Sequence, residues 1–192
     1  MTESSASKWN ARYAYSGSGI PAPAGVLSRS THWKKLLEAA SNNEREDRPC
    51  ALDLACGRAG NAHFLAEQGF QVTAWDISDT VISEIKSRNP SALIEASVRD
   101  VVAMPPVPES FDLIVVSRFL DRALCPAIAR ALRPKGLLFY QTFVHGLDNP
   151  DYLLRPNELL QLFKQLHIVE YHEPDMDSRG KAQARLVARR PF

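Results

Sequence analysis

Four side chains of this chain could hold a polar ligand: Asp53 in ALDLACGRAG, Asp76 closing FQVTAWD, Asp100 in SVRD and Ser117 closing FDLIVVS. A carboxylate has two acceptor oxygens, so it can take paired hydroxyls, an amino group or a cation. Asp53 is the least expected of them. It interrupts an apolar run that leads straight into a small-residue turn. A carboxylate buried at the end of a strand costs roughly several kcal/mol unless a cation or hydrogen-bond donors meet it. Either the segment is not a buried strand, or Asp53 has a partner that the local sequence does not show. One acid at a strand end reads equally well as a cap for a helix or turn. Several at successive strand ends favour a shared ligand site.

The elements that must position these residues follow from hydrophobic periodicity. Short apolar runs predict strands over 50–55, 70–76, 92–97, 111–117 and 137–144, with the apolar FDLIVVS suited to the sheet centre. Between them, helical patterns run over 61–69, stopped by Gly69, over 78–88 with Val81, Ile82 and Ile85 inward, and over 121–132, stopped at RPKG. A helix over 156–166 starts with Pro156 in its first turn. Residues 167–173 and 182–190 flank a polar turn and read as an antiparallel pair. Strands alternating with helices imply an α/β fold, a doubly wound and mostly parallel sheet. Ligands in such sheets bind beyond the carboxyl ends of the strands.

The N-terminal part has a different texture. Trp9, Arg12 and Tyr13 share one side of a helix, at i, i+3 and i+4. SGSGIPAPAG, 16–25, reads as a flexible loop or lid. STHWKKLLEAA, 30–40, predicts a helix with Leu36, Leu37 and Ala40 on one face and Ser30 or Thr31 as its cap. NNEREDRP, 42–49, is a polar linker. The expected organisation is one domain over 1–192, with 1–45 as an N-terminal lid and helical segment.

The sequence has 192 residues, 45% hydrophobic and 23% charged, with a net charge of +1. Such a balance gives no strong field that favours nucleic acid or an anionic membrane, which shifts the expectation toward a small-molecule partner while leaving room for a local basic patch. No apolar run reaches the roughly 18 residues that span a bilayer, and MTESSASKWNARY lacks the apolar core of a secretion signal. Cys50, Cys56 and Cys125 form no CxxC pair, which points away from disulfides or zinc and toward a reducing cytoplasm. Oligomeric state has no signature here.

ACGRAG can be read in two ways. It approximates the dinucleotide fingerprint G-x-G-x-x-G with Ala55 at the first glycine, and Asp76 falls near the spacing of a ribose-binding acid. Asp53 separates the readings. It would repel a pyrophosphate, whereas the ammonium and sulfonium of S-adenosylmethionine would be attracted to it.

LDLACGRAGNAHFLAEQGFQVTAWDIS resembles the cofactor-binding half of class I S-adenosylmethionine-dependent methyltransferases. Within them the chain is most similar to the small tellurite-resistance-type group, which has a like Asp-x-x-Cys-Gly turn, Asn at the position of Asn61 and a segment like KWNARY. The resemblance covers residues 50 to 145 best. It implies a Rossmann-like sheet of seven strands with the last antiparallel. It also implies that Asp53 lies under the cofactor's amino group and that Gly57 lets the backbone approach the methionine part. Asp76 would take both ribose hydroxyls, Ile77 would pack on the adenine, and Asp100 with the Val101 backbone would meet its amino group. Ser117 and Arg118 would border the methionine and the acceptor, and Trp9, Arg12 and Tyr13 would form a lid. The family's turn usually carries three glycines, and Ala55 and Ala59 replace two. Because alanine resists positive φ, Gly60 is expected to supply the lost freedom.

Methyl transfer needs alignment and exclusion of water, and a base only where the acceptor must lose a proton. His145, just after the fifth strand, could be that base or a solvent-exposed turn residue. His63 reads as a helix-surface residue, and His32, His167 and His172 lack metal-ligand spacing. NPDY, 149–152, is similar to the Asn-Pro-Pro-Tyr signature of amino-methylating enzymes but follows the fifth predicted strand, not the fourth, so it reads as a turn. Arg185, Arg189 and Arg190 suit a solvated edge strand. The resemblance implies an enzyme acting on a small molecule, with soft nucleophiles such as thiol, selenium or tellurium species as acceptors. The alternative is a cofactor-binding module that serves a partner protein without turnover of its own.

Overall fold

Alternating apolar runs and amphipathic segments resolve into seven strands and seven α-helices in a computed structural model, which describes residues 5–15, 17–42, 47–88, 91–174 and 181–192. The strands are β1 (Cys50–Leu54), β2 (Gln71–Asp76), β3 (Ile94–Val98), β4 (Phe111–Ser117), β5 (Leu132–His145), β6 (His167–His172) and β7 (Ala182–Arg189). The helices are α1 (Ser5–Tyr15), α2 (Gly25–Ser28), α3 (Lys34–Asn42), α4 (Gly60–Gln68), α5 (Asp79–Ser87), α6 (Cys125–Ala131) and α7 (Glu158–Leu162). One sheet holds every strand in the order β3-β2-β1-β4-β5-β7-β6. β1 to β5 pair in parallel, and β7 runs antiparallel to both β5 and β6. This is the class I methyltransferase fold.

β4 is buried along its first six residues and takes the sheet centre, as its continuous apolar run requires. One face packs Ile128, Ala129, Leu159 and Phe163 of the α6 and α7 region. The other packs Leu27 of α2, Leu65 of α4, and Val81, Ile82 and Ile85 of α5. The strand order reverses between β1 and β4, so the crevice beyond their carboxyl ends is the topological switch point. None of the described helices is long and apolar enough to cross a membrane.

Several sequence expectations change in detail. Residues 30–33 turn before α3 begins: the Ser30 hydroxyl accepts from the His32 amide, and buried Trp33 meets Phe64 edge-on at 5.7 Å. The helix expected over 156–166 is only Glu158–Leu162, preceded by Asn157 in the left-handed region at φ 59°. Phe163 and Leu166 are buried all the same, the Phe163 amide donating to the Leu159 carbonyl and the Leu166 amide closing a tighter turn on the Phe163 carbonyl. RPKG does not merely end α6. It belongs to β5, where a bulge shifts the register against β4 between Phe111 and Leu113. NPDY is a turn: Pro150–Tyr152 form one 3-10 turn, capped where the Asn149 side chain accepts from the Asp151 amide at 2.9 Å.

The segment expected to be a flexible loop is tied down. The Ala24 amide donates to Asn61 Oδ1 at 2.8 Å, and the Val26 amide to Gln141 Oε1 at 2.8 Å. Its end forms α2, which the sequence reading did not anticipate. Half of the polar linker (43–46) and most of the turn before β7 (175–180) lie outside the described residues, as do residues 1–4, 16 and 43–45 of the expected lid.

Candidate functional site

Strand alternation places Leu52 and Leu54 against one face of the sheet and Asp53 toward the other, where α4 begins. Asp53 is fully buried. One carboxylate oxygen accepts from Asn61 Nδ2 at 3.1 Å and the other from the Ala62 amide at 3.0 Å. α4 lacks a side-chain cap of its own, since Ala59 stands at its N-cap. Asp53 therefore caps it from the neighbouring strand and sits at the positive end of its dipole. The partner that the local sequence did not show is thus Asn61 together with the start of α4. Burial still dominates, and it raises the Asp53 carboxyl to about 7 against the pull of these two bonds.

Asp76 closes β2 one strand away and is also buried. It accepts from the Gly57 amide at 2.9 Å on one oxygen and from the Ser78 amide at 3.0 Å on the other. Desolvation raises its pKa, opposed by these backbone donors. The turn between β1 and α4 takes positive φ at Ala55 (55°), Gly57 (51°) and Ala59 (61°). The two alanines thus adopt the conformation they were expected to resist, and Gly60 does not supply the freedom in their place. Gly60 has a different duty: a Cβ there would stand 2.3 Å from the Pro21 carbonyl oxygen. Its missing side chain is what lets the 21–25 segment lie on the turn.

Neither Asp53 nor Asp76 has a Lys or Arg partner among the described residues. Asp112 in β4 is the contrast. It too is buried, but it meets Arg133 at 2.7 Å and the Cys50 amide at 2.8 Å. The carboxylates at the switch point are held in shape by backbone amides and the Asn61 side chain, with no cationic side chain on either.

α1 lies over this turn although none of its residues is fully buried. The Ser78 hydroxyl bonds Asn10 Oδ1 at 2.6 Å, while its oxygen also caps α5. Arg58, from the turn itself, pairs with Glu84 of α5 at 2.9 Å and donates to the Tyr13 carbonyl at 2.9 Å. The Tyr13 hydroxyl stands 3.0 Å from where a Cβ on Gly57 would be. Burial and the Asp76 charge hold its phenol above the usual tyrosine range. Trp9, Arg12 and Tyr13 do share a face: the rings are 6.0 Å apart and the Arg12 guanidinium lies 5.0 Å over Trp9.

The remaining expected residues spread outward from the turn. Ile77 is half-buried after β2. Asp100 accepts from the Val102 and Ala103 amides at 3.0 and 3.2 Å, with Val101 buried beside it. Ser117 ends β4, and exposed Arg118 follows at φ 57° with its amide on the Gln141 carbonyl at 2.8 Å. His145 is exposed at the end of β5 and is not brought to the turn. Ser117 pairs with Gln141, so His145 lies four residues further, roughly 13 Å along the strand. Sequence reasoning missed Asn10, Arg58 and Gln141. Only Arg58 carried a signal, as the sole charged residue of the turn.

Residues 51–136 match the family described as a methyltransferase domain. The demethylmenaquinone methyltransferase of Beutenbergia cavernae is 34% identical over an alignment of 98 positions that covers 48% of this chain and 40% of that protein. The chain spans less than half the length of the curated relatives it matches. Among solved structures, TehB from Haemophilus influenzae superposes with a TM-score of 0.61 at 21% identity, covering 85% of this chain and 64% of that one. A structure described as concerning conversion of a disulfide bond into a thioacetal group during echinomycin biosynthesis gives 0.66 at 20% identity, covering 97% and 92%. At these identities the likeness to solved structures is one of fold.

Proposed function

We propose that this chain, whose residues 51–136 match the methyltransferase-domain family, binds S-adenosylmethionine at the turn after β1 and transfers its methyl group to a small-molecule acceptor. The observation that carries the reading is the pair Asp53 and Asp76. Two buried carboxylates beside one turn, without a cationic side chain on either, favour a cationic ligand and oppose a pyrophosphate. When bound, S-adenosylmethionine supplies an electrophilic methyl on its sulfonium.

The chain's own residues then have these tasks. Asp53 sets negative charge beneath the turn and fixes Asn61. Gly57 lets the ligand approach the backbone. Asp76 keeps a second lone pair on each oxygen for the ribose hydroxyls while its first ones hold Gly57 and Ser78. Ile77, Asp100 and Val101 border the adenine, and Ala55 and Ser117 flank the methionine part. Trp9, Arg12 and Tyr13 close over it and exclude water. Arg118 stands where an acceptor would enter, beyond β4.

A soft nucleophile, such as a thiol, selenium or tellurium species, is the acceptor class that these positions support best. A thiolate or selenide needs no base during transfer. The two acids at the turn already accept from backbone amides and from Asn61, and His145 stands well beyond it. Incubating the protein with S-adenosylmethionine and a small panel of thiols, with selenite-derived and tellurite-derived species alongside, tests this. Acceptor-dependent formation of S-adenosylhomocysteine is expected. Cofactor binding without any such product would instead favour a binding module that serves a partner protein.

A further inference from the structure

Away from the turn, a cleft of about 380 Å³ opens between α2 and the β6–β7 edge of the sheet. Arg29 and Arg185 both line it, and neither has a carboxylate partner among the described residues. They share this with other described arginines, but these two line one cleft, whereas five others are matched to acids. Arg58 and Arg88 meet Glu84, Arg122 meets Glu158, Arg133 meets Asp112 and Arg190 meets Glu109. The acid of the cleft, Glu170, is held by His32 at 2.7 Å.

The ladder and the end of α2 bring both arginines to the lining of one cleft. Arg185 on β7 stands opposite Gln141 on β5 and opposite His172 on β6, so three polar side chains form one row across the sheet. Arg29 folds back toward the same row. Its Nε lies 3.7 Å from where a Cβ on Gly25 would be, and Gln141 Oε1 lies 3.6 Å from that point. Gln141 adds no negative charge, since its oxygen takes the Val26 amide and its nitrogen goes to Gln183. Two guanidiniums brought into one concavity repel each other unless an anion lies between them. The walls beside them, Val26 and Val187, are apolar. The volume holds roughly a dozen water-sized groups, more than an inorganic ion fills.

We propose that this cleft binds a small molecule with an oxyanion headgroup, a carboxylate or phosphate, on a compact apolar body. Arg29 and Arg185 clamp the headgroup, and Val26 and Val187 cover the body. The cleft shares no lining residue with the turn after β1, and α2 bridges the two regions: Ala24 is bonded to Asn61 and Val26 to Gln141.

The test is a titration of the full chain with phenyl phosphate, followed by calorimetry and by amide chemical shifts, with no nucleoside present. Failure here therefore leaves the methyltransferase reading untouched. Saturable binding is expected, with shifts at Gly25, Val26 and Val187. Arg185→Gln and Arg29→Gln should each weaken it about ten- to hundredfold, the scale of one hydrogen-bonded charge. Benzyl alcohol, which keeps the ring and lacks the charge, should not bind. Arg29 is exposed on the protein surface, so its variant remains informative even where Arg185→Gln lowers stability. Absence of saturable binding, or binding that Arg29→Gln leaves unchanged, would overturn the proposal.

Discussion

The Gly57 amide donates to the Asp76 carboxylate at 2.9 Å, which ties the turn after β1 to the end of β2. The same carboxylate holds the Ser78 amide at the start of α5. Asp76→Ala therefore has two consequences. Loss of charge-assisted bonds to the ribose should weaken S-adenosylhomocysteine binding by about 1–3 kcal/mol. Two amides also lose their acceptor, so the ligand-free protein should lose about 1–3 kcal/mol of stability. Calorimetry and urea unfolding measure the two separately. An unchanged dissociation constant would show that the ribose is held elsewhere.

Stability should depend on pH through Asp53. Its carboxyl is raised from 3.8 to about 7 by burial, so between these values the folded protein holds a proton that the unfolded chain has lost. The contribution of this group to stability is fully present below the unfolded value, falls as pH rises through that window and is level above it. Asp76, raised in the same sense, adds to the slope. Urea unfolding at about pH 5 and about pH 8 should show the fall, and Asp53→Asn should flatten it. A cationic ligand draws the Asp53 pKa down, so binding near neutral pH should release protons. Calorimetry in two buffers of different ionisation enthalpy reads this directly, and proton uptake would contradict it.

The N-terminal segment should divide in two. Deleting residues 1–15 removes α1, which has no fully buried residue, and should change the melting temperature of the ligand-free protein little while weakening S-adenosylhomocysteine binding. Deleting residues 1–25 also removes the Ala24 donor from Asn61 and the Pro21 contact on Gly60, and should lower the melting temperature further. Equal losses from both deletions would make α1 part of the core and remove it as a lid.

The turn itself offers a pair of opposite changes. Ala55→Gly relieves a positive φ that costs an L-residue about 1–2 kcal/mol, against an entropic cost of about 0.5–1 kcal/mol. A net gain of about 0.5–1 kcal/mol is expected. Gly60→Ala pushes a Cβ into the Pro21 carbonyl and should cost about 1–3 kcal/mol. Thermal melts of the two variants should move in opposite directions.

Period and polarity in the sequence were sufficient for the strand and helix order, because each element buries a face that its own residues declare. β4 shows this best, with an apolar run that matches its bounds and its central place. Bonds that cross long stretches of chain were not legible. Asn61 holds Ala24 from 37 residues away, and Gln141 holds Val26 from 115. Nothing local distinguishes these two amides from surface ones, so 16–25 read as a loose loop. The role of Gly60 was hidden for the same reason, since only the folded chain brings Pro21 against it. Asp53 was recognisable as anomalous from its neighbours alone, but its partner on α4 required the turn to be closed.

The central claim is that the turn after β1 is built for a cationic sulfur nucleoside, and a calorimetric titration tests it most directly. Full-length protein is titrated with S-adenosylmethionine, with S-adenosylhomocysteine and with NAD under the same conditions. Saturable binding of both sulfur nucleosides is expected, weakened by Asp76→Ala, with no saturable response to NAD. Tight binding of NAD with no response to either sulfur nucleoside would contradict the account.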